Sequence, residues 1–255
     1  MLTTTILHGD CRDVMAVFPA ESFDCVIADP PYGETSLKWD TWQQGWPAAV
    51  LRVLKSTGSM WGFGSFRMFF ENADEFVGWR FSHDVIWEKH NGSGLFADRF
   101  RRVHEIAAHF YRADSPWGQV FKSPQFTNDA RARVVRKKGR PAQWIGATGE
   151  TTYRSEDGGP RLMRSVLQVH SEHGRALHPT QKPLGIVEPL LRYACPAGGH
   201  VLDPFAGSGT TALAAKAIGA DTTLIEADPE FFKVASDRVQ GDALFDGTAV
   251  DSGNG

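Results

Sequence analysis

The sequence predicts an α/β fold with a mainly parallel β-sheet, and three observations predict it. Short apolar runs of strand character alternate with segments of helical spacing at both ends of the chain. Four of those runs close on an acid: Asp10, Asp29, Asp203 and Glu226. A glycine turn, Gly207-Ser208-Gly209, follows one of them and opens a helix.

The elements follow in order. Residues 3–8 (TTTILH) are β-rich and end at Gly9-Asp10, which predicts a strand, and Val14, Val17 and Phe18 predict a short helix over 11–18. The run FDCVIA, residues 23–28, reads as a buried strand, and residues 33–41 (GETSLKWDT) as a mobile loop. Trp46, Val50, Leu51 and Leu54 give helical spacing within 42–54. A strand over 59–64, a helix over 66–77 and strands over 81–87 and 103–111 are expected next. The last two strands have no helix between them, so an antiparallel pair is expected at that edge.

The pattern breaks over 112–176, which are polar, rich in Gly and Pro and weakly periodic. It resumes with a helix over 186–193, a strand over 201–203, a helix over 210–218 and a strand over 222–225 that closes on Glu226. A helix over 229–239 starts at Pro229, whose missing N–H costs little there. The Gly/Asp/Ser-rich tail, 242–255, is expected to be disordered.

With 255 residues the chain can bury a full core, as one domain with an insertion. Its 42% hydrophobic and 22% charged residues are those of a soluble globular protein. Cys11, Cys25 and Cys195 form no CxxC pair, so neither a disulfide framework nor a zinc ribbon is indicated. No basic leader and no long apolar run is present, which predicts a cytosolic protein. Net charge is -3, but charge is uneven: residues 122–140 hold seven basic side chains and one acid, Asp129. Arg131, Arg133, Arg136, Lys137, Lys138 and Arg140 belong to that run, and Arg99, Arg101 and Arg102 lie upstream. Such a run is either a solvated surface or a phosphate-binding one.

Two stretches carry chemistry. Asp29-Pro30-Pro31-Tyr32 leaves the second strand with a carboxylate, two rigid prolines and an aromatic ring. Two prolines remove two N–H donors, so the backbone there presents bare carbonyls beside a carboxylate. That acceptor-only surface suits a target offering two N–H bonds, such as an amino group on a flat ring on which Tyr32 can stack. The bland alternative is a surface turn. Gly207-Ser208-Gly209-Thr210-Thr211-Ala212 fits a loose G-x-G-x-x-A, with Glu226 at the end of the next strand placed to hold ribose hydroxyls. A nucleoside-containing cofactor follows; an ATP P-loop is disfavoured because no Gly-Lys-Ser/Thr is present. NAD stays possible on spacing alone.

Asp29-Pro30-Pro31-Tyr32, Asp203-Pro204-Phe205-Ala206-Gly207-Ser208-Gly209-Thr210-Thr211 and His178-Pro179-Thr180-Gln181-Lys182-Pro183 together resemble the amino-group DNA methyltransferases, the adenine-N6 and cytosine-N4 enzymes. The catalytic motif precedes the cofactor motif, as in the β group of that family. The resemblance covers roughly residues 5–111 and 177–240. It implies a Rossmann-like, S-adenosylmethionine-dependent methyltransferase fold with circularly permuted motif order and a target-recognition insert at 112–176. It implies S-adenosyl-L-methionine as cofactor, with Asp203 near its methionine end and Phe205, Gly207, Ser208, Gly209, Thr210 and Thr211 forming the cavity. Glu226 is then similar to the ribose-binding acid and Asp10, followed by Cys11, to the residue contacting the adenine amino group. For Asp10 a simple helix cap is the alternative. The segment with Thr180 and Lys182 resembles the one that closes over the cofactor carboxylate.

On this reading Asp29 and the Pro30 carbonyl accept the two amine protons of a base flipped from double-stranded DNA, with Tyr32 stacked on it and Trp39 as a second wall. The basic insert holds phosphates. Asp at the first motif position resembles adenine enzymes more than cytosine-N4 enzymes, which more often carry Ser. A homodimer is expected, and the family resemblance makes restriction-modification a context in which a cognate restriction enzyme partner is left open. A metal site from His170, His173 and His178 is disfavoured, since nothing completes it. The rivals are a methyltransferase for another planar amide or amine, such as a protein glutamine or an RNA adenine, a DNA-binding module without turnover, and an NAD oxidoreductase, which leaves the Asp-Pro-Pro-Tyr strand end unexplained.

Overall fold

The computed structural model describes residues 2–93, 97–137, 149–171, 178 and 180–245. In chain order the elements are β1 (Thr4–His8), α1 (Cys11–Ala16), β2 (Phe23–Ala28), α2 (Trp46–Val53), β3 (Leu54–Gly64), α3 (Phe66–Glu71), a 3-10 turn at Ala73–Phe76, β4 (Trp79–Ser93) and β5 (Arg102–Arg112). Then come β6 (Phe126–Thr127), β7 (Arg133–Lys137), β8 (Thr151–Ser155), β9 (Arg161–Leu162), β10 (Val166–Gln168), α4 (Leu184–Ala194), β11 (His200–Asp203), α5 (Thr210–Ile218), β12 (Asp221–Glu226) and α6 (Pro229–Phe245).

The chain forms two compact units. Met1–Ser123 with Ser165–Gly255 make the larger, and Pro124–Arg164 the smaller. The larger holds one eight-stranded sheet in the order β1-β12-β11-β2-β3-β5-β4-β10. Pairing is parallel from β1 to β3, and β5 runs antiparallel to both β3 and β4, as the missing helix predicted. The insert expected over 112–176 is narrower than its composition suggested. Val166–Gln168 forms β10, parallel to β4 at Ile86–Glu88, and so belongs to the main sheet. A three-residue strand leaves too short a pattern to read.

β2 shows how the core is layered. Cys25 and Ile27 face one side, with Ile186, Leu190 and Leu191 of α4 and Ala214 and Ala215 of α5. Val26 and Ala28 face the other, with Met15 of α1 and Trp46, Val50 and Val53 of α2. Strand alternation thus feeds two helical layers, and the run reads as continuously apolar because both faces are buried. Where β2 shifts register against β3, a Cβ on Gly58 would lie 2.6 Å from the Asp24 carbonyl oxygen, so that position requires glycine.

Element bounds differ from the sequence expectation in physical detail. The helix expected over 42–54 starts only at Trp46, with Pro47 in its first turn, and the chain turns extended at Leu54. The helix expected over 66–77 breaks at Asn72 into a 3-10 turn. The 242–255 tail is not wholly irregular, because α6 runs through Gly241 to Phe245; residues 246–255 lie outside the described residues. No described helix is long and apolar enough to cross a membrane.

The loop over 33–41, expected to be mobile, is organised by one side chain. The buried Asp40 carboxylate accepts the backbone N–H groups of Gly33 (2.9 Å), Glu34 (3.0 Å) and Thr35 (2.7 Å). Burial pushes its pKa up, but these bonds outweigh burial and hold it below the ordinary carboxylate value.

In the smaller unit, β7 and β8 form a two-stranded antiparallel ribbon and β6 pairs with β9. Pairing of Val134 with Arg154 and of Arg136 with Thr152 puts Val134, Arg136 and Arg154 on one ribbon face. Arg133, Val135 and Tyr153 take the other face. Arg131, Arg133, Arg136 and Arg154 are exposed.

Candidate active site

The C-terminal ends of β2, β11 and β12 and the loops after them enclose a cavity of about 500 Å³. Asp29 and Tyr32 come from the end of β2, Asp203 from the end of β11 and Glu226 from the end of β12. Parallel strands in register place these ends side by side.

The glycine loop works by backbone conformation. Gly207 has φ 51° and Gly209 φ 77°, both in the left-handed region, so the chain can turn from β11 into α5. Gly207 donates its N–H to Glu226 Oε2 at 2.7 Å, and Asp228 donates to Glu226 Oε1 at 2.9 Å. A carboxylate has about four acceptor positions, so Glu226 keeps capacity for a further donor. Ser208 and Thr210 line the cavity, but Arg238 of α6 donates to both hydroxyl oxygens, at 3.1 and 3.2 Å. Gly209, expected at the cofactor, does not line the cavity. A Cβ there would meet Ala235 at 3.5 Å, so Gly209 serves the helix start and its packing on α6.

Asp203 is 4% exposed and accepts from Thr211 Oγ1 at 2.5 Å and from the Phe205 N–H at 2.9 Å. Burial pushes its pKa up to about 7, against those bonds and with the charges of Asp29 and Glu226. Burial likewise raises Asp29 and Glu226. Three carboxylates raised around one cavity favour a ligand that brings positive charge.

Asp29 is the centre of the other side. Its Oδ1 accepts from the Tyr32 hydroxyl at 2.8 Å, and its Oδ2 contacts Lys182 Nζ. Lys182 is buried, and Glu105 Oε2 lies 3.3 Å from the same ammonium. Lys182 is therefore placed against Asp29, a position that the comparison with a carboxylate-closing segment did not suggest. Tyr32 makes a contact that stacking alone did not suggest, since its hydroxyl orients the Asp29 carboxylate.

Other expected residues divide. Pro30, Cys11, Phe205, Thr180 and Trp39 line the cavity, with the Trp39 ring 5.5 Å from His178 and His178 4.0 Å from Phe231. Burial pushes His178 down to about 4, so it is neutral at pH 7. Asp10 lines the cavity but is also the N-cap of α1, and Arg12 engages both its oxygens at 2.8 and 2.5 Å. Arg102 pairs with Glu34 at 2.6 Å and ties β5 to the loop after Tyr32. Arg99 pairs with Asp98 at 2.7 Å, and Arg101 is exposed. Lys138 and Arg140 lie outside the described residues, as does His173, and the Lys137 side chain is not described. Among the described residues no three His, Cys, Asp or Glu side chains converge as metal ligands.

Sequence reasoning missed Glu105. Strand alternation over 103–111 puts it on the face of Ala107 and His109, and a lone acid on a buried strand face was the available signal.

The model of a DNA methylase family, the N6 and N4 methyltransferases, matches residues 23–237. The chain belongs to that family. It is similar to the Type II methyltransferase M.HinfI of Haemophilus influenzae, at 28% identity over 270 residues, 92% of this chain and 68% of that protein. Among solved structures it is similar to the M1.HpyAVI–SAM complex, with a TM-score of 0.63 and 25% identity over 93% of this chain and all (100%) of that one. It also matches the cytosine-N4-specific PvuII DNA methyltransferase, with a TM-score of 0.63 at 17% identity over 99% of this chain and 88% of that one, a likeness of fold. The fold is the Rossmann-like methyltransferase fold, and the protein is a DNA amino-methyltransferase whose cofactor is S-adenosyl-L-methionine. The cavity fits that cofactor: its three raised carboxylates suit a molecule carrying a sulfonium and an ammonium, and Glu226 suits a ribose diol.

Proposed function

We propose that the protein methylates the N6 amine of an adenine flipped out of duplex DNA. The observation that carries this reading is Asp29, a strand-end carboxylate on the cavity wall, oriented by Tyr32 and Lys182. S-adenosylmethionine supplies an electrophilic methyl group on a sulfonium. The protein's part is to present the amine, a poor nucleophile because its lone pair is delocalised into the ring. Asp29 and the Pro30 carbonyl accept the two N–H bonds and so localise the lone pair. The Asp29 carboxylate then stabilises positive charge as it develops on nitrogen, and fixed orientation contributes the rest. Tyr32 and Trp39 wall the base.

Adenine is favoured over cytosine because Asp29 stands at the motif position where the resemblance associates Asp with adenine enzymes. The test is incubation with unmethylated genomic DNA and isotope-labelled S-adenosylmethionine, followed by nucleoside mass spectrometry. Label is expected in N6-methyladenine. Label in N4-methylcytosine would keep the chemistry and overturn the base.

The Pro124–Arg164 unit is proposed as the target-recognition region. Its ribbon carries exposed Arg133, Arg136 and Arg154, with exposed Arg131 just before β7, and a two-stranded ribbon fits a major groove. Arg99, 62% exposed beside Asp98, and the exposed Arg101 are proposed to add phosphate contacts. The enzyme is proposed to act in the cytoplasm, associated with the nucleoid of a prokaryote or encoded by a phage.

A homodimer is proposed because one chain carries only a small recognition unit while its larger unit leaves an aromatic face open. Phe66, Phe70 and Phe81 are exposed, and Phe66, Phe69, Phe76, Phe81 and Phe110 line a shallow groove with one acid, Asp84. A patch of that kind marks an interface. Phe81→Glu is expected to shift sedimentation from dimer to monomer. A monomeric wild-type protein at micromolar concentration would refute the dimer.

A further inference from the structure

Asp29 and Lys182 are half of a buried array that extends away from the cavity. Lys182, its side chain 7% exposed, contacts Asp29 Oδ2 on one side and lies 3.3 Å from Glu105 Oε2 on the other. Glu105, 12% exposed, is held through Oε1 by Lys89 of β4. Its Oε2 has no hydrogen-bond partner among the described residues, although it is within ion-pair distance of Lys182. Asp29, Lys182, Glu105 and Lys89 therefore alternate in sign, and both carboxylates line the cavity.

This arrangement answers a difficulty in the chemistry. Tyr32 donates to Asp29 Oδ1 and Lys182 to Oδ2, so each oxygen keeps an acceptor position for the target amine, but one already drawn on by another donor. An ammonium held by Asp29 alone would draw electron density from the oxygens that must accept the amine N–H. A bare Glu105 oxygen beside the same ammonium competes for it.

We propose that Glu105 is a positioning residue for methyl transfer, sharing the Lys182 ammonium with Asp29 and so preserving the acceptor strength that the target amine requires. The proposal rests on the reading of Asp29 as the amine acceptor. Asp29 is faced by Lys182 from the segment before α4, by Glu105 from β5, by Tyr32 from its own loop and by Asp203 from β11. Lys89 faces Glu105, Arg102 acts on Tyr32, and neutral His178 lies near Lys182. Burial raises Asp29, Lys182 lowers it and Glu105 raises it again. Burial also pushes Glu105 up, but Lys182 and Lys89 outweigh it and hold Glu105 at about 2, so Glu105 stays charged across the working range.

The signs follow. Glu105→Gln removes an upward push on Asp29 and leaves Lys182 to it alone, so the Asp29 midpoint falls. Lys89→Met leaves Glu105 with Lys182 as its one cation in this array, draws the ammonium from Asp29, and raises that midpoint. The experiment is a carboxyl-¹³C NMR titration of aspartate-labelled free protein, with Asp29→Asn assigning the signal, beside single-turnover rates and calorimetric cofactor binding. Glu105→Gln is expected to lower the Asp29 midpoint and cut the single-turnover rate about tenfold, with cofactor Kd unchanged. Lys89→Met is expected to move the midpoint upward, a sign reversal that loose packing does not produce. An Asp29 midpoint unmoved or raised in Glu105→Gln, or a shift with no loss of rate, overturns the proposal. If Glu105→Gln does not fold, an unmoved or lowered midpoint in Lys89→Met overturns it. Failure of the underlying reading is separate, because an active Asp29→Ala enzyme would reveal it whichever way the midpoints move.

Discussion

Asp29→Ala is expected to lower the single-turnover methylation rate by about 10²-fold or more, the scale on which removal of one preorganised polar group acts. The loss should fall on the chemical step, because DNA contacts are proposed for arginines outside the cavity. Stability should fall less than for a fully orphaned buried charge, about 3–5 kcal/mol, because Glu105 stays 3.3 Å from the Lys182 ammonium. Tyr32→Phe separates orientation from stacking. It keeps the ring and deletes the 2.8 Å bond to Asp29, and about a tenfold loss is expected. An Asp29→Ala enzyme retaining more than half its rate would refute the assignment.

Asp203→Asn is expected to stabilise the free protein and weaken cofactor binding by about 10-fold or more. The Asp203 pKa rises from 3.8 unfolded to about 7 folded. Between those values the folded state holds a proton that the unfolded chain has lost. Its contribution to stability therefore falls as pH rises through that window and is flat above it. Asparagine keeps an acceptor for Thr211 and removes the buried charge, so Tm at pH 8 should rise by about 2–4 °C for each kcal/mol relieved. A cationic cofactor favours the ionised form, so wild-type affinity should rise with pH up to about 7. Thermal shift with and without S-adenosylmethionine reads both effects. A lower Tm for free Asp203→Asn together with an undiminished cofactor shift would remove Asp203 from the cofactor site.

Much of this site was legible because its chemistry is local. Two prolines after Asp29 stiffen the strand end whatever surrounds them. Glycine at 207 admits a left-handed φ that the turn into α5 needs. The apolar run 23–28 announces a strand buried on both faces, and the absence of a helix between β4 and β5 announces their antiparallel pairing. The reading failed where a residue's partner is remote or its local role is ambiguous. Gly209 follows the same local rule as Gly207 yet faces α6, because orientation around a turn depends on what packs against it. Arg102 reads as one more surface base, and its pairing with Glu34 is invisible in the local sequence. Residues 33–41 read as mobile, yet the Asp40 carboxylate satisfies three of the loop's N–H groups.

The family, the cofactor class, the parallel core and the strand ends that carry Asp29, Asp203 and Glu226 are legible in the chain alone. Backbone conformation and strand alternation are written in consecutive residues. The electrostatics around Asp29 depend on tertiary contacts. Lys182 stands far along the chain from Asp29, Glu105 lies between them in sequence, and no spacing rule links the three. The sheet brings them into one buried array, and burial there makes each charge depend on the others.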